Sequence, residues 1–169
     1  MPNVRPLLLI DVDGVLNPLA VQPPGHIPPG FAAHDLEGLR VLLAAQHGAW
    51  LSELAVDFDL VWATSWEHDA DRLIAEHVGL PRGLPVITFD SPPEDWTSKL
   101  PDVIRFVADR PVAWVDDDLG PEVYSWADSR TVPTMLIQPD HRVGLTSAHI
   151  DRLRGFALEL LSAAHQTLE

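Results

Sequence analysis

The sequence predicts a mainly parallel α/β fold, and three observations carry that prediction. Leu7–Ile10 is an unbroken apolar run of the kind found in strands covered on both faces. Further short apolar runs alternate with helix-spaced segments along all 169 residues, as they do in parallel sheets with crossover helices. The polar clusters fall at the ends of those runs or just after them, where open α/β sheets bind their ligands.

The first strand, Leu7–Ile10, runs into Asp11-Val12-Asp13-Gly14. Side chains alternate along extended chain, so both carboxylates are expected to point roughly the same way, with Val12 turned aside. At this spacing they repel, and at neutral pH they share a proton or hold a cation. Hard oxygen ligands favour Mg²⁺. The same residues equally suit an ordinary solvated turn, and Gly14 permits the sharp bend in either case.

Val15–Pro29 carries Pro18, Pro23, Pro24, Pro28 and Pro29, which excludes a helix or a central strand. It reads as a loop, part of a proline-rich flap over about residues 17–45. Leu39–Ala44 reads as a short strand returning from the flap or as the start of a helix, with the strand preferred, and a helix follows over roughly Gln46–Val56. Leu60–Trp66 is expected as a second buried strand ending in the hydroxyls of Thr64 and Ser65. Ala70, Leu73, Ile74 and Val78 mark a helix that Gly79 and Pro81 stop. Pro85–Phe89 suggests a short third strand and Asp90–Trp96 a loop. Thr97 suits an N-cap, which puts Lys99 in the first turn of a helix with Leu100, Val103, Ile104 and Val107 inward. Val112–Val115, a fourth strand, ends in Asp116-Asp117-Asp118. Pro121 suits a first helical position, and Val132–Ile137 a fifth strand. Thr146 or Ser147 is expected to cap a last helix with Ile150, Leu153, Ala157, Leu161 and Ala164 inward.

The chain reads as one domain over residues 1–169. Its net charge of −14 opposes nucleic-acid backbones and anionic membranes unless cations cluster locally. No apolar run reaches membrane-spanning length, and Pro2–Pro6 leave no room for a targeting peptide ahead of the first strand, so a cytoplasmic location is expected. The absence of cysteine removes disulfides, thiolate zinc sites and cysteine nucleophiles. The eight histidines form no HxxxH or HExxH pair, and there is no P-loop and no GxGxxG. Lys99, the single lysine, stands out as a candidate for a specific task.

Of the six tryptophans, Trp62 and Trp114 are expected in the core. Trp66 and Trp96 either pack under loops or border a pocket, where they could stack on a base or sugar. Asn17 either lines the flap or forms a turn. Glu67 and His68 either cap a helix or meet substrate.

Taken in order, Asp11 with Asp13, Thr64 with Ser65, Lys99, and Asp116 with Asp117 resemble the four motifs of the haloacid dehalogenase (HAD) superfamily. The wording DVDGVLNP, WATSWE and WVDDD is most similar to a small, capless branch that includes the HAD domains of Swiss Army Knife RNA-repair proteins. The resemblance spans nearly the whole chain. It implies a three-layer, Rossmannoid α/β/α sandwich with a five-stranded sheet, no large cap domain, and Mg²⁺-dependent phosphoryl transfer through an aspartyl-phosphate. Asp11 would be the nucleophile and Asp13 the general acid and then base. Thr64 would bond the phosphoryl group; apart from the resemblance, Ser65, Asn17 and Trp66 are the further candidate substrate contacts. Lys99 would neutralise charge. Asp11, Asp116, Asp117 and Asp13, the last through its backbone carbonyl, would hold Mg²⁺. Val15 departs from the threonine common at that position, and the run of three aspartates leaves open whether Asp117 or Asp118 is the second acid.

These residue types suit that chemistry independently. A carboxylate nucleophile divides one hard displacement into two easier ones. Phosphoryl transfer asks mainly for positioning and charge stabilisation. The expected substrate is a small phosphomonoester. A nucleotide or nucleic-acid phosphate end fits the capless site, and a non-catalytic binding domain on the same scaffold is the competing reading. A dehalogenase needs neither the Asp13 acid nor a Mg²⁺ site.

Overall fold

Four parallel strands form the central sheet, and the registers between them decide which side chains meet at its carboxyl edge. The computed structural model describes residues 5–90 and 99–166. The strands are β1 (Leu7–Ile10), β4 (Asp59–Trp62), β5 (Val112–Val115) and β6 (Thr134–Ile137), in the order β4-β1-β5-β6. Ile10 lies opposite Trp62 on one side and Val115 on the other. The next residues are therefore neighbours, and Asp11 N–H donates to the Val115 carbonyl at 3.1 Å.

All four residues of β1 are buried, and alternate ones feed two cores. Leu8 and Ile10 pack with Leu60, Trp62 and Val115 under α1 (Ala45–Leu54), α2 (Ala75–Val78) and α5 (Ser147–Gln166). Leu7 and Leu9 pack with Val61, Ala63 and Trp114 under α3 (Leu100–Val107) and α4 (Pro121–Ser129). The result is the expected three-layer α/β/α sandwich, and Trp62 and Trp114 are core residues as anticipated. Among the described residues no helix is long and apolar enough to cross a membrane.

The sheet differs from expectation at one edge. Pro85–Phe89, expected as the third of five strands, forms a single bridge, Val86 to Trp62, and the sheet has four strands. Trp62 N–H donates to the Pro85 carbonyl and Ile87 N–H to the Trp62 carbonyl, both at 2.9 Å. Proline has no N–H to extend the ladder backwards. At the far end, Glu67 takes the Phe89 N–H through its carboxylate.

A second difference lies in the flap. Ala32–Leu36 forms a strand, β2, which pairs antiparallel with the expected strand β3 (Leu39–Leu43). Glu37 and Gly38, both with positive φ (55° and 86°), make the two-residue turn. Only Leu36 of β2 is fully buried, so the strand lacks the apolar alternation that marks one in sequence.

The helices differ in smaller ways. Ala70–Ile74 is a π-helical turn that runs into α2, and Gly79 ends α2 in the left-handed conformation at φ 82°. Leu161, expected inward on α5, is 36% exposed. A 20-residue helix is about 30 Å long, more than twice the length of the four-residue strands beneath it. The cap expected at Thr97, the loop over residues 91–96 and the pocket position of Trp96 lie outside the described residues.

Candidate active site

The carboxyl edge of β1 and β5 gathers three carboxylates. Asp11 follows β1, Asp116 follows β5, and each offers an oxygen that lies within 4.8 Å of the other's and of one from Asp117. Asp11 and Asp116 are buried and Asp117 is half-buried. Lys99 enters from the residue before α3, whose second residue is Pro101. Its ammonium lies 2.7 Å from Asp11 Oδ2 and 2.7 Å from Asp116 Oδ2, and it also donates to the Ala63 carbonyl at 3.3 Å. The single lysine is thus the counter-ion of the cluster.

Burial of three acids raises the cost of their charge. Burial, and then the charge on Asp11, push Asp116 up to about 7, against the pull of Lys99. Asp117 is raised for the same two reasons. Burial works to deprotonate Lys99, but the charges and hydrogen bonds of Asp11 and Asp116 outweigh it and hold the ammonium above its ordinary range.

The set fits a hard divalent cation. Its donors are all carboxylate oxygens, with no nitrogen or sulfur, as Mg²⁺ requires. The backbone beside it leaves no room for a side chain: a Cβ on Gly14 would lie 2.2 Å from Asp117 Cγ. Gly14 also has φ +72°, so glycine serves both the turn after Asp13 and the seat of Asp117. The two acids left open in the aspartate run lie in different surroundings. Asp117 joins the cluster, whereas Asp118 is exposed and its N–H donates to Asp116 Oδ1 at 2.9 Å.

Asp13 does not share its carboxylate with Asp11. A helical turn follows Val12, whose carbonyl accepts from the N–H groups of Leu16 and Asn17 at 2.8 and 2.9 Å, and extended alternation ends there. The Asn17 amide donates to Asp13 Oδ1 at 2.7 Å and the Trp66 indole to Oδ2 at 2.9 Å. The other end of the Asn17 amide accepts from Leu42 N–H at 2.9 Å, which ties the hairpin to Asp13. Asn17 and Trp66, expected as substrate contacts, are both brought to Asp13. Their role as its holders was not visible in the sequence, because the direction of an indole or an amide depends on tertiary packing.

Thr64 is fully buried, and its Oγ1 accepts from Trp66 N–H at 3.3 Å, while Ser65 is exposed. Ser65, Trp66 and Asp13 line a cleft of about 360 Å³ together with Leu36, Glu37 and Leu39 of the hairpin and with Asp69 and Leu73. Arg72 pairs with two acids of its wall, with bonds of 2.7 and 3.0 Å to Glu37 and 2.9 Å to Asp69. Among the described residues, His68 has no hydrogen bond or ion pair to the cluster.

Comparison with curated proteins and with solved structures finds no match. A family model does match, described as the HAD domain in Swiss Army Knife RNA repair proteins, over residues 7–150. That span begins at β1, takes in the hairpin and every residue of the acidic cluster, and reaches into α5. On this match, and with the motifs meeting at one sheet edge, the chain belongs to the HAD superfamily, in the family of domains found in Swiss Army Knife RNA repair proteins.

Proposed function

We propose that the protein is a Mg²⁺-dependent phosphomonoesterase that works through an aspartyl-phosphate on Asp11. The observation that carries this reading is the Lys99 ammonium, 2.7 Å from both Asp11 and Asp116. It sets a positive charge against the nucleophile's carboxylate in a buried site, where phosphoryl oxygens would arrive.

In this reading Asp11 attacks phosphorus, and the ester oxygen leaves with a proton from Asp13. Asp13 then takes a proton from water, whose oxygen attacks phosphorus and releases phosphate and free Asp11. Asn17 and Trp66 keep Asp13 aimed through both steps. Thr64 and Lys99 bond the phosphoryl oxygens. Asp11, Asp116, Asp117 and the Asp13 carbonyl would hold Mg²⁺, which supplies charge neutralisation at phosphorus.

A second reading narrows the substrate to a nucleotide or nucleic-acid phosphate end. It is favoured by the family's description and by the small hairpin that takes the place of a cap. The test is phosphate release from sugar phosphates, nucleotides and a 3′-phosphorylated oligonucleotide, with Mg²⁺ and with EDTA, beside Asp11→Asn. Turnover that needs Mg²⁺ and vanishes in the folded variant is expected. Full activity in Asp11→Asn would overturn the mechanism, and Mg²⁺ binding without turnover of any ester would favour a non-catalytic scaffold.

A further inference from the structure

Arg40, on β3, is the one lysine or arginine among the described residues with no hydrogen-bond or ion-pair partner. The other ten all bond a carboxylate or a carbonyl, from Arg5 with Asp59 to Arg154 with Glu53 and Asp151. In a chain of net charge −14, carboxylates are plentiful. One even stands directly across the hairpin, since Arg40 pairs with Asp35 in the β2–β3 register. Asp35 nevertheless accepts from Gly38 N–H at 2.9 Å, capping the turn, and leaves the guanidinium to solvent.

Arg40 lines a groove of about 340 Å³ walled by Pro23, Pro24, His26, Leu42 and Asn17. Among the described residues no aspartate or glutamate lines it. Asn17 is also the residue whose amide holds Asp13, so the groove and the expected catalytic acid share one side chain. Arg40 is two residues along β3 from Leu42, about 7 Å. The cleft lined by Asp13 and Trp66 differs, with Glu37 and Asp69 in its wall, both paired with Arg72. A second anionic group of a substrate finds carboxylates already engaged by Arg72 there and an unpaired cation here.

We propose that Arg40 and its proline-walled groove bind a second phosphate of the substrate, the one that neighbours the phosphoryl group offered to Asp11. The inference rests on the phosphohydrolase reading and deepens it. The substrate class becomes esters that carry a phosphodiester beside the terminal phosphate, as a nucleic-acid end does. It also reconciles such a substrate with the acidic chain, because a single local cation is enough to receive one neighbouring phosphate.

Two esters test it: a nucleoside 3′-monophosphate, and a dinucleotide with the same 3′-phosphate. Arg40→Gln removes an exposed, unpartnered charge and leaves the expected catalytic groups in place. It is expected to lower kcat/KM for the dinucleotide about tenfold, the size of one charge-assisted hydrogen bond, and to leave the mononucleotide within about twofold. An equal effect on both esters overturns the proposal. Fluorescence anisotropy of the labelled dinucleotide 3′-phosphate, with Asp11→Asn and with Asp11→Asn/Arg40→Gln, reads the groove without turnover. If neither ester is hydrolysed by the unmodified protein, the phosphohydrolase reading fails for them and the binding arm still decides. About tenfold weaker binding without Arg40 sustains the groove, and equal binding overturns it.

Discussion

The Trp66 indole N–H donates to Asp13 Oδ2 at 2.9 Å, and so joins the end of the second motif to the expected acid of the first. With Asn17 on Oδ1, both oxygens of Asp13 are held. Trp66→Phe removes one donor and keeps most of the ring that packs against the core. Its effect on turnover should depend on the leaving group. An alkoxide needs its proton as it departs, and a positioned acid contributes on the order of 10²–10⁴ in rate. A nitrophenolate needs it far less. We expect kcat on an alkyl phosphate to fall about tenfold in Trp66→Phe, and kcat on p-nitrophenyl phosphate to change by about twofold or less. Equal losses on both would show that Trp66 acts through packing and not through Asp13.

Gly14 and Asp117 make a second testable contact. A Cβ at Gly14 would fall 2.2 Å from Asp117 Cγ, at a φ of +72° that L side chains avoid. Gly14→Ala should therefore move Asp117 out of the carboxylate cluster. In EDTA the strained backbone alone should cost about 1–2 kcal/mol. The larger change should appear on adding Mg²⁺, which at a hundredfold above its Kd stabilises the native chain by about 2.7 kcal/mol. Thermal melts with and without Mg²⁺ separate the two effects. A Gly14→Ala chain that gains as much from Mg²⁺ as the unmodified one would show that Asp117 is no ligand.

The parts of the site carried by chain order were legible in the sequence. Asp11 and Asp116 each follow an all-apolar strand, and adjacent parallel strands in register set their ends side by side. Lys99 could be singled out because the chain has no other lysine. The parts set by side-chain direction were not legible. Asp13 is spaced to face the way Asp11 does, but the turn after Val12 sends its carboxylate to Asn17 and Trp66. Strand β2 escaped notice because the hairpin stands on the surface, and its sequence, AAHDL, buries only Leu36. The Glu37-Gly38 turn was the local signal that could have revealed it. The expected third strand, Pro85–Phe89, fails for an equally local reason, since Pro85 opens it and leaves a single bridge to Trp62.

The last prediction concerns His47, which is buried in α1 with Nε2 3.1 Å from the Leu145 carbonyl. Because that oxygen can only accept, Nε2 carries the proton of the neutral ring. Burial holds the imidazole below its ordinary value, with the carbonyls of Leu145 and Leu16 pulling the other way. The unfolded chain therefore binds a proton near pH 6.5 that the folded chain refuses. Stability from this group is complete above that pH and is lost as pH falls from about 6.5 towards the folded value, by at most about 1.4 kcal/mol per pH unit. His34 and His149, also lowered first by burial, act in the same sense, whereas the raised Asp116 and Asp117 act in the opposite one. All four are retained in His47→Leu, so the difference between the two chains isolates His47. The variant should melt lower at pH 8, because the Leu145 carbonyl loses its donor, yet lose less stability than the unmodified chain between pH 7.5 and pH 5.5. Parallel curves of Tm against pH for the two chains would show that His47 takes up its proton without unfolding the helix that carries it.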